Sequence, residues 1–96
     1  MTDSDVSERR IALIRSALST ALNPESLTVT DESHLHVGHA GAQSGLGHFH
    51  VSVVAADFAG RSLIERHRVI YAALGDLMTT DIHALGIDAH APDEPR

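Results

Sequence analysis

Histidine is the residue type best able to do chemistry in this chain, because imidazole is a common metal ligand and can change charge near neutral pH. Five of the eight histidines lie between Asp31 and Val54, together with four of the seven glycines. The roughly sixteen residues before His48 show neither helical nor strand periodicity, and such long connections in small domains are usually functional or disordered. We call these residues, about 32–47, the histidine-glycine loop and expect the chemistry to centre on it.

The first candidate metal ligands are His36 and His39, which lie three residues apart in the loop. The intervening glycine allows positive φ, so the loop could fold back and present both imidazoles together. Their spacing alone matches no known zinc motif, so a polar loop whose histidines are incidental is an open alternative.

The second candidate is His83, near the start of the last predicted strand. It shares strand parity with Leu85 and Ile87, so the simplest expectation is that it faces the core. A position at the entrance of a strand is equally compatible with the rim of the domain.

One basic cluster is visible, at Arg61, Arg66, His67 and Arg68. His67 falls on the apolar stripe of a predicted helix, which favours a structural histidine with a backbone partner. The three arginines are either a solvated helix face or a phosphate-contacting patch.

Composition excludes several functional classes. The chain has 96 residues, enough for one domain, and 43% of them are hydrophobic. Without cysteine it can form no disulfide, thiol nucleophile or thiolate metal site of its own. A net charge of -6 with no lysine disfavours strong non-specific nucleic-acid binding.

The sequence shows no phosphate-binding loop and no nucleophile elbow, so we expect no enzyme. The polar, acidic N-terminus predicts a cytoplasmic protein.

Hydrophobic periodicity predicts helix, strand, strand, helix and strand in that order, with the second helical region open to division into two pieces. The predicted elements are a helix with Ile11, Ile14, Leu18 and Ala21 on its buried face, strands at 27–31 and 48–54, a helix at 62–78 with a stripe of Leu63, Ile70, Leu74 and Leu77, and a strand at 82–90. We expect a two-layer α+β sandwich in which helices cover one face of a three-stranded sheet. The domain should span residues 1–91, followed by a loose tail at 92–96.

Five motifs in this order resemble the BolA family over nearly the whole chain, from about Val6 to Ala91. The segments that carry the resemblance are Asp31-Glu-Ser, Gly47-His-Phe-His-Val, Phe58-Ala-Gly, Arg66-His-Arg-Val-Ile-Tyr and Ile82-His-Ala-Leu. The fourth and fifth are specific when they occur together at this separation.

The resemblance implies a type II KH-like fold and a non-enzymatic adaptor role. BolA-like proteins associate with monothiol glutaredoxins, and the pair shares a [2Fe-2S] cluster used in iron-sulfur trafficking or iron-linked regulation. The glutaredoxin and glutathione provide sulfur ligands. Carried over to this chain, the family's histidine ligand of the last strand is His83, and the loop ligand is His36, with His39 as a close competitor.

Two other functions are open at this stage. The family resemblance also suggests a DNA-binding transcriptional regulator, which would use Arg61, Arg66 and Arg68, although no Gly-x-x-Gly clamp is present. The histidines could alternatively buffer zinc or nickel without a partner. We expect the isolated protein to be a monomer or a weak dimer.

Overall fold

The computed structural model describes residues 3–33 and 47–94. Its elements are α1 (Asp3–Leu22), β1 (Ser26–Asp31), β2 (Gly47–Val54), a short 3-10 turn (Ala56–Phe58), α2 (Leu63–Leu74), α3 (Leu77–Thr80) and β3 (Ile82–His90). The α+β class is confirmed, and the second helical region is divided into two helices. None of the helices in the described ranges is long and apolar enough to cross a membrane. The type II KH-like label stays a prediction.

The three strands form one mixed sheet in the order β1-β2-β3. β1 pairs with β2 in antiparallel register, for example Val29 opposite Val51. β2 pairs with β3 in parallel, with Val51 opposite Ile87. Because parallel neighbours need a crossover connection, the chain passes through α2 and α3 between these two strands.

The core lies between the sheet and the helices. Phe49, Val51 and Val53 alternate along β2 and are almost fully buried, as their period of two predicted. They pack in one cluster with Ile14 and Leu18 from α1 and with α2 residues. Phe58, which follows β2, is also fully buried. On α1, Ala21 is exposed and Leu22 occupies the last buried position instead.

The start of α2 differs from the prediction. Leu63 was expected on the buried stripe but is 67% exposed, and the neighbouring Ile64 is 64% exposed. Ser62 and Glu65 form a reciprocal capping box that fixes where the helix begins. The first buried position of the stripe belongs to Arg66, which is 6% exposed and is followed by Ile70 and Leu74.

Arg66 ties α2 to the end of β3 and to the C-terminal tail. Its Nε donates to the Arg61 carbonyl and its Nη1 to the Ala89 carbonyl, both at 3.0 Å. Its two terminal nitrogens each donate to one carboxylate oxygen of Glu94, at 2.6 Å. Glu94 also accepts the Ala91 N–H at 2.9 Å. These contacts hold Glu94 against α2 and the end of β3, residues 95–96 lie outside the described part, and the loose tail at 92–96 stays a prediction.

The Arg66–Glu94 pair makes the free energy of unfolding decrease as the pH becomes acidic. Hydrogen bonds from Arg66 lower the pKa of Glu94 from 4.5 to about 2 in the folded protein. The pair's contribution is therefore complete above the unfolded-state pKa and is lost as pH falls from about 4.5 towards about 2. We expect Glu94→Gln to lower the unfolding temperature at pH 7, with a difference from wild type that shrinks over this acid range.

Asp93→Asn is the matched control, since it neutralises the exposed carboxylate next to Glu94. Thermal unfolding followed by circular dichroism from pH 7 to pH 2.5 measures both variants. A Glu94→Gln effect that is independent of pH, or equal to that of Asp93→Asn, would contradict this account.

Gly47 is required by the packing at the start of β2. A Cβ at this position would lie 2.4 Å from Cε2 of Phe49, whose ring is in the core. We expect Gly47→Ala to destabilise the protein by about 1–3 kcal/mol, because the buried ring must shift. Gly86→Ala is the control: its Cβ would meet the half-exposed ring of His50, which can move towards solvent, so denaturant unfolding should show a smaller loss. Equal losses would rule out this explanation.

Candidate functional site

Two histidine rings meet at the start of the parallel strand pair. The rings of His48 on β2 and His83 on β3 have centroids 5.1 Å apart and planes inclined at 49°. His83 is exposed at the rim, whereas His48 is only 7% exposed. The site therefore consists of an accessible imidazole on top of a buried one.

The expectation that His83 faces the core is wrong, and a β-bulge is the reason. Gly47 pairs with Ile82, but the next β2 residue, His48, pairs with Ala84. His83 is thus an extra residue on β3, and the alternation that would align it with Leu85 is interrupted. Ile82 is consequently buried in the core, and the ring of His83 lies against His48.

A partly buried ion pair fixes the residue that precedes β3. Asp81 is 7% exposed, accepts a hydrogen bond from the Thr80 hydroxyl at 2.6 Å and accepts another from Arg10 Nε at 3.2 Å. The Thr80 bond is the main cause of the lowered pKa of Asp81, and Arg10 contributes further. The Asp81 carbonyl also accepts the Gly47 N–H at 3.0 Å. Asp81 therefore links α1 to the starts of both parallel strands.

The base of the histidine-glycine loop is held at the same place. The backbone N–H of His48 donates to the Ser33 hydroxyl at 3.0 Å, and its carbonyl accepts the Glu32 N–H at 2.7 Å. The Ser33 N–H in turn donates to an Asp31 carboxylate oxygen at 2.8 Å. Both ends of the connection 34–46 are thus fixed beside His48. The predicted ligands His36 and His39 belong to this connection and lie outside the described residues.

The basic cluster does not act as one surface. Arg66 is buried in its pair with Glu94, so it is not available as a phosphate contact. Arg61 and Arg68 are exposed, and the Arg61 Nε donates to the Asp57 carbonyl at 2.8 Å. His67 is half-buried on α2, and its structural role stays a prediction.

His48 is the residue of this site that sequence reasoning missed. The alternation of β2 places it with His50 and Ser52 on the polar face, which by itself suggests only a solvated histidine. Its burial and its contact with His83 depend on the register between β2 and β3 and on the bulge. One sequence signal could have drawn attention to it. The segments Gly47-His-Phe and Ile82-His-Ala both place a histidine at the start of a predicted strand.

The described part of the site offers a metal ligand but not a complete metal centre. His83 offers an accessible imidazole nitrogen, the kind of ligand that zinc, copper and iron accept. Across residues 3–33 and 47–94, no three His, Asp or Glu side chains are grouped closely enough to hold a metal ion. Because the whole chain lacks cysteine, an iron-sulfur cluster here would take its thiolates from elsewhere.

Comparison with known proteins gives one consistent family. A profile described as "BolA-like protein" matches residues 18–94. The chain is 36% identical to chloroplastic protein BOLA1 of Arabidopsis thaliana, over 97% of this chain and 60% of that protein. It is 42% identical to BolA-like protein 1 of Bos taurus, over 84% of this chain and 58% of that protein. It therefore spans about three-fifths of the length of these relatives.

The fold gives the same result. The structure of the BolA domain of SufE1 from Arabidopsis thaliana superposes with a TM-score of 0.78 and 39% identity, covering 90% of this chain and 95% of that domain. The family profile and these relatives describe BolA-like proteins rather than an enzyme family, and the non-enzymatic role remains an expectation. The profile match, the identities and the shared fold together show that this chain belongs to the BolA-like family.

Proposed function

We propose that this chain is an adaptor that binds a monothiol glutaredoxin and contributes histidine to a shared [2Fe-2S] cluster, in iron-sulfur trafficking or iron-linked regulation. The observation that carries the proposal is the exposed imidazole of His83, set by a bulge at the fixed start of β3. A ligand that must meet another protein's thiolates has to be accessible, and His83 is.

Imidazole ligation has chemical consequences for such a cluster. Replacing thiolates by histidines on one iron raises the reduction potential, as in Rieske centres. The ligand nitrogen must be unprotonated, so assembly should weaken as the solution becomes acidic. The chain's own part is to hold His83 at the rim, beside the fixed base of the loop.

We propose His36 as the loop ligand ahead of His39. The comparison is of the greatest distance that each residue can lie from the fixed Ser33. His36 follows Ser33 by three residues, so its Cα lies within about 11 Å of the Ser33 Cα whatever the path between them. His39 follows by six residues, which permits about twice that distance. Ser33 bonds to the backbone of His48, which contacts His83, so either histidine could reach the site, and the tighter limit on His36 agrees with its place in the family resemblance.

The alternative functions have weaker support. A DNA-binding regulator would lose Arg66 from its contact surface, leaving Arg61 and Arg68 on either side of the exposed Glu65. A partner-free zinc or nickel buffer would need additional ligands from residues 34–46, because the described ranges hold no three suitable side chains together.

The ligand assignment of His83 is tested by His83→Ala. Titration with a monothiol glutaredoxin, glutathione and iron-sulfur reagents should give wild type a visible absorption and circular dichroism spectrum characteristic of a histidine-ligated cluster. We expect the variant to bind the shared cluster at least ~10-fold more weakly, since even outer-shell changes at metal sites can cost that much. His90→Ala, at the other end of β3, is the control. Unchanged spectra in His83→Ala would refute the assignment.

The loop ligand is tested by comparing His36→Ala with His39→Ala in the same titration. The shorter tether to Ser33 leads us to expect a loss of cluster signal in His36→Ala and little change in His39→Ala. A spectrum altered only by His39→Ala would reverse this assignment without affecting that of His83.

A further inference from the structure

We infer that His48 is a positioning residue: its buried ring holds the exposed ring of His83 in the orientation needed for ligation. The purpose of this contact rests on the proposed function, whereas the contact itself does not. The two rings lie 5.1 Å apart at 49°, within the separation and tilt at which flat rings pack favourably.

His48 is suited to this role because it is fixed from several directions. Its side chain is buried, its N–H is bonded to the Ser33 hydroxyl and its carbonyl to the Glu32 N–H. A ring held in this way offers a rigid flat surface to its neighbour. The same burial makes it unsuited to meeting the ligands of another protein directly.

His83 needs such a surface because it is exposed. An exposed side chain samples up to three staggered χ1 rotamers, and the contact with His48 favours the one in which the rings meet. Selecting that rotamer in advance removes an ordering cost from cluster binding. If three equal rotamers became accessible, affinity would fall by about threefold, which is less than the loss expected when a ligand is removed.

His50 provides a matched control on the same strand. It lies two residues after His48 on the same face, opposite Gly86, and its Nε2 pairs with the Asp88 carboxylate at 2.9 Å. Its partner is therefore an acid on β3 rather than His83. Removing this ring should leave the orientation of His83 unchanged.

The inference is tested by nuclear magnetic resonance on the isolated chain without cluster. In wild type and in His50→Ala, three-bond couplings should report a single χ1 rotamer for His83, and its ring protons should keep their shifts. In His48→Ala the couplings should average and the shifts should move towards solvent-exposed values. His48→Phe should preserve the ordering, and His48→Leu, of similar bulk but without a flat ring, should lose it.

Comparing Phe with Leu keeps the test decisive if His48→Ala fails to fold. Ordered His83 couplings in both His48→Ala and His48→Leu would overturn the inference, and so would equal disorder in His50→Ala.

In the glutaredoxin titration, His48→Ala should weaken cluster binding about threefold. A loss as large as that of His83→Ala would show a ligand instead. If wild type takes up no cluster, the proposed function fails, while the resonance result still decides whether His48 orients His83.

Discussion

The parallel pairing of β2 with β3 is the constraint on which the rest of the structure depends. Parallel strands begin at the same edge of a sheet, so the end of the histidine-glycine loop and the start of β3 are brought to one place. An antiparallel β3 would instead have put His83 at the opposite end of β2 from Gly47. The crossover through α2 and α3 is therefore what lets two distant segments of sequence contribute to one site.

The residues that fix this edge of the sheet are polar. Their role in positioning the strand starts explains their presence better than any contribution to the free energy of folding does. Asp81 is buried and its partner Arg10 is partly buried, and an ion pair of this kind often contributes little beyond its desolvation cost. It nevertheless connects α1 to the residue before β3, and its carbonyl bonds to Gly47. Fixing these strand starts allows a one-residue bulge to direct His83 in a defined way.

Most of the fold could be predicted from the sequence because its signals are local. The alternation in β2 and the bounds of β3 follow from side-chain period and from adjacent turn residues. The errors occur where tertiary contacts decide. The bulge that turns His83 away from the core depends on register with β2, which period alone does not contain.

The exchange of roles between Leu63 and Arg66 has a similar cause. Helical period places both residues on the stripe that includes Ile70, and hydrophobicity favours Leu63 as the buried one. Arg66 is buried instead because its long stem covers apolar surface while its guanidinium reaches the Ala89 carbonyl and Glu94. Those partners are more than twenty residues away in sequence, so only the folded chain shows that the charge is satisfied.

The composition and the geometry of the site are both compatible with the proposed sharing of a metal cluster. A metal site that one chain completes by itself encloses its ligands, and structural zinc sites typically use four. Here the described residues present one accessible imidazole supported by a buried ring, and the sequence contains no thiolate at all. Under the proposed function, specificity comes from the partner that supplies the sulfur, and the chain's task is to keep one nitrogen correctly oriented until that partner binds.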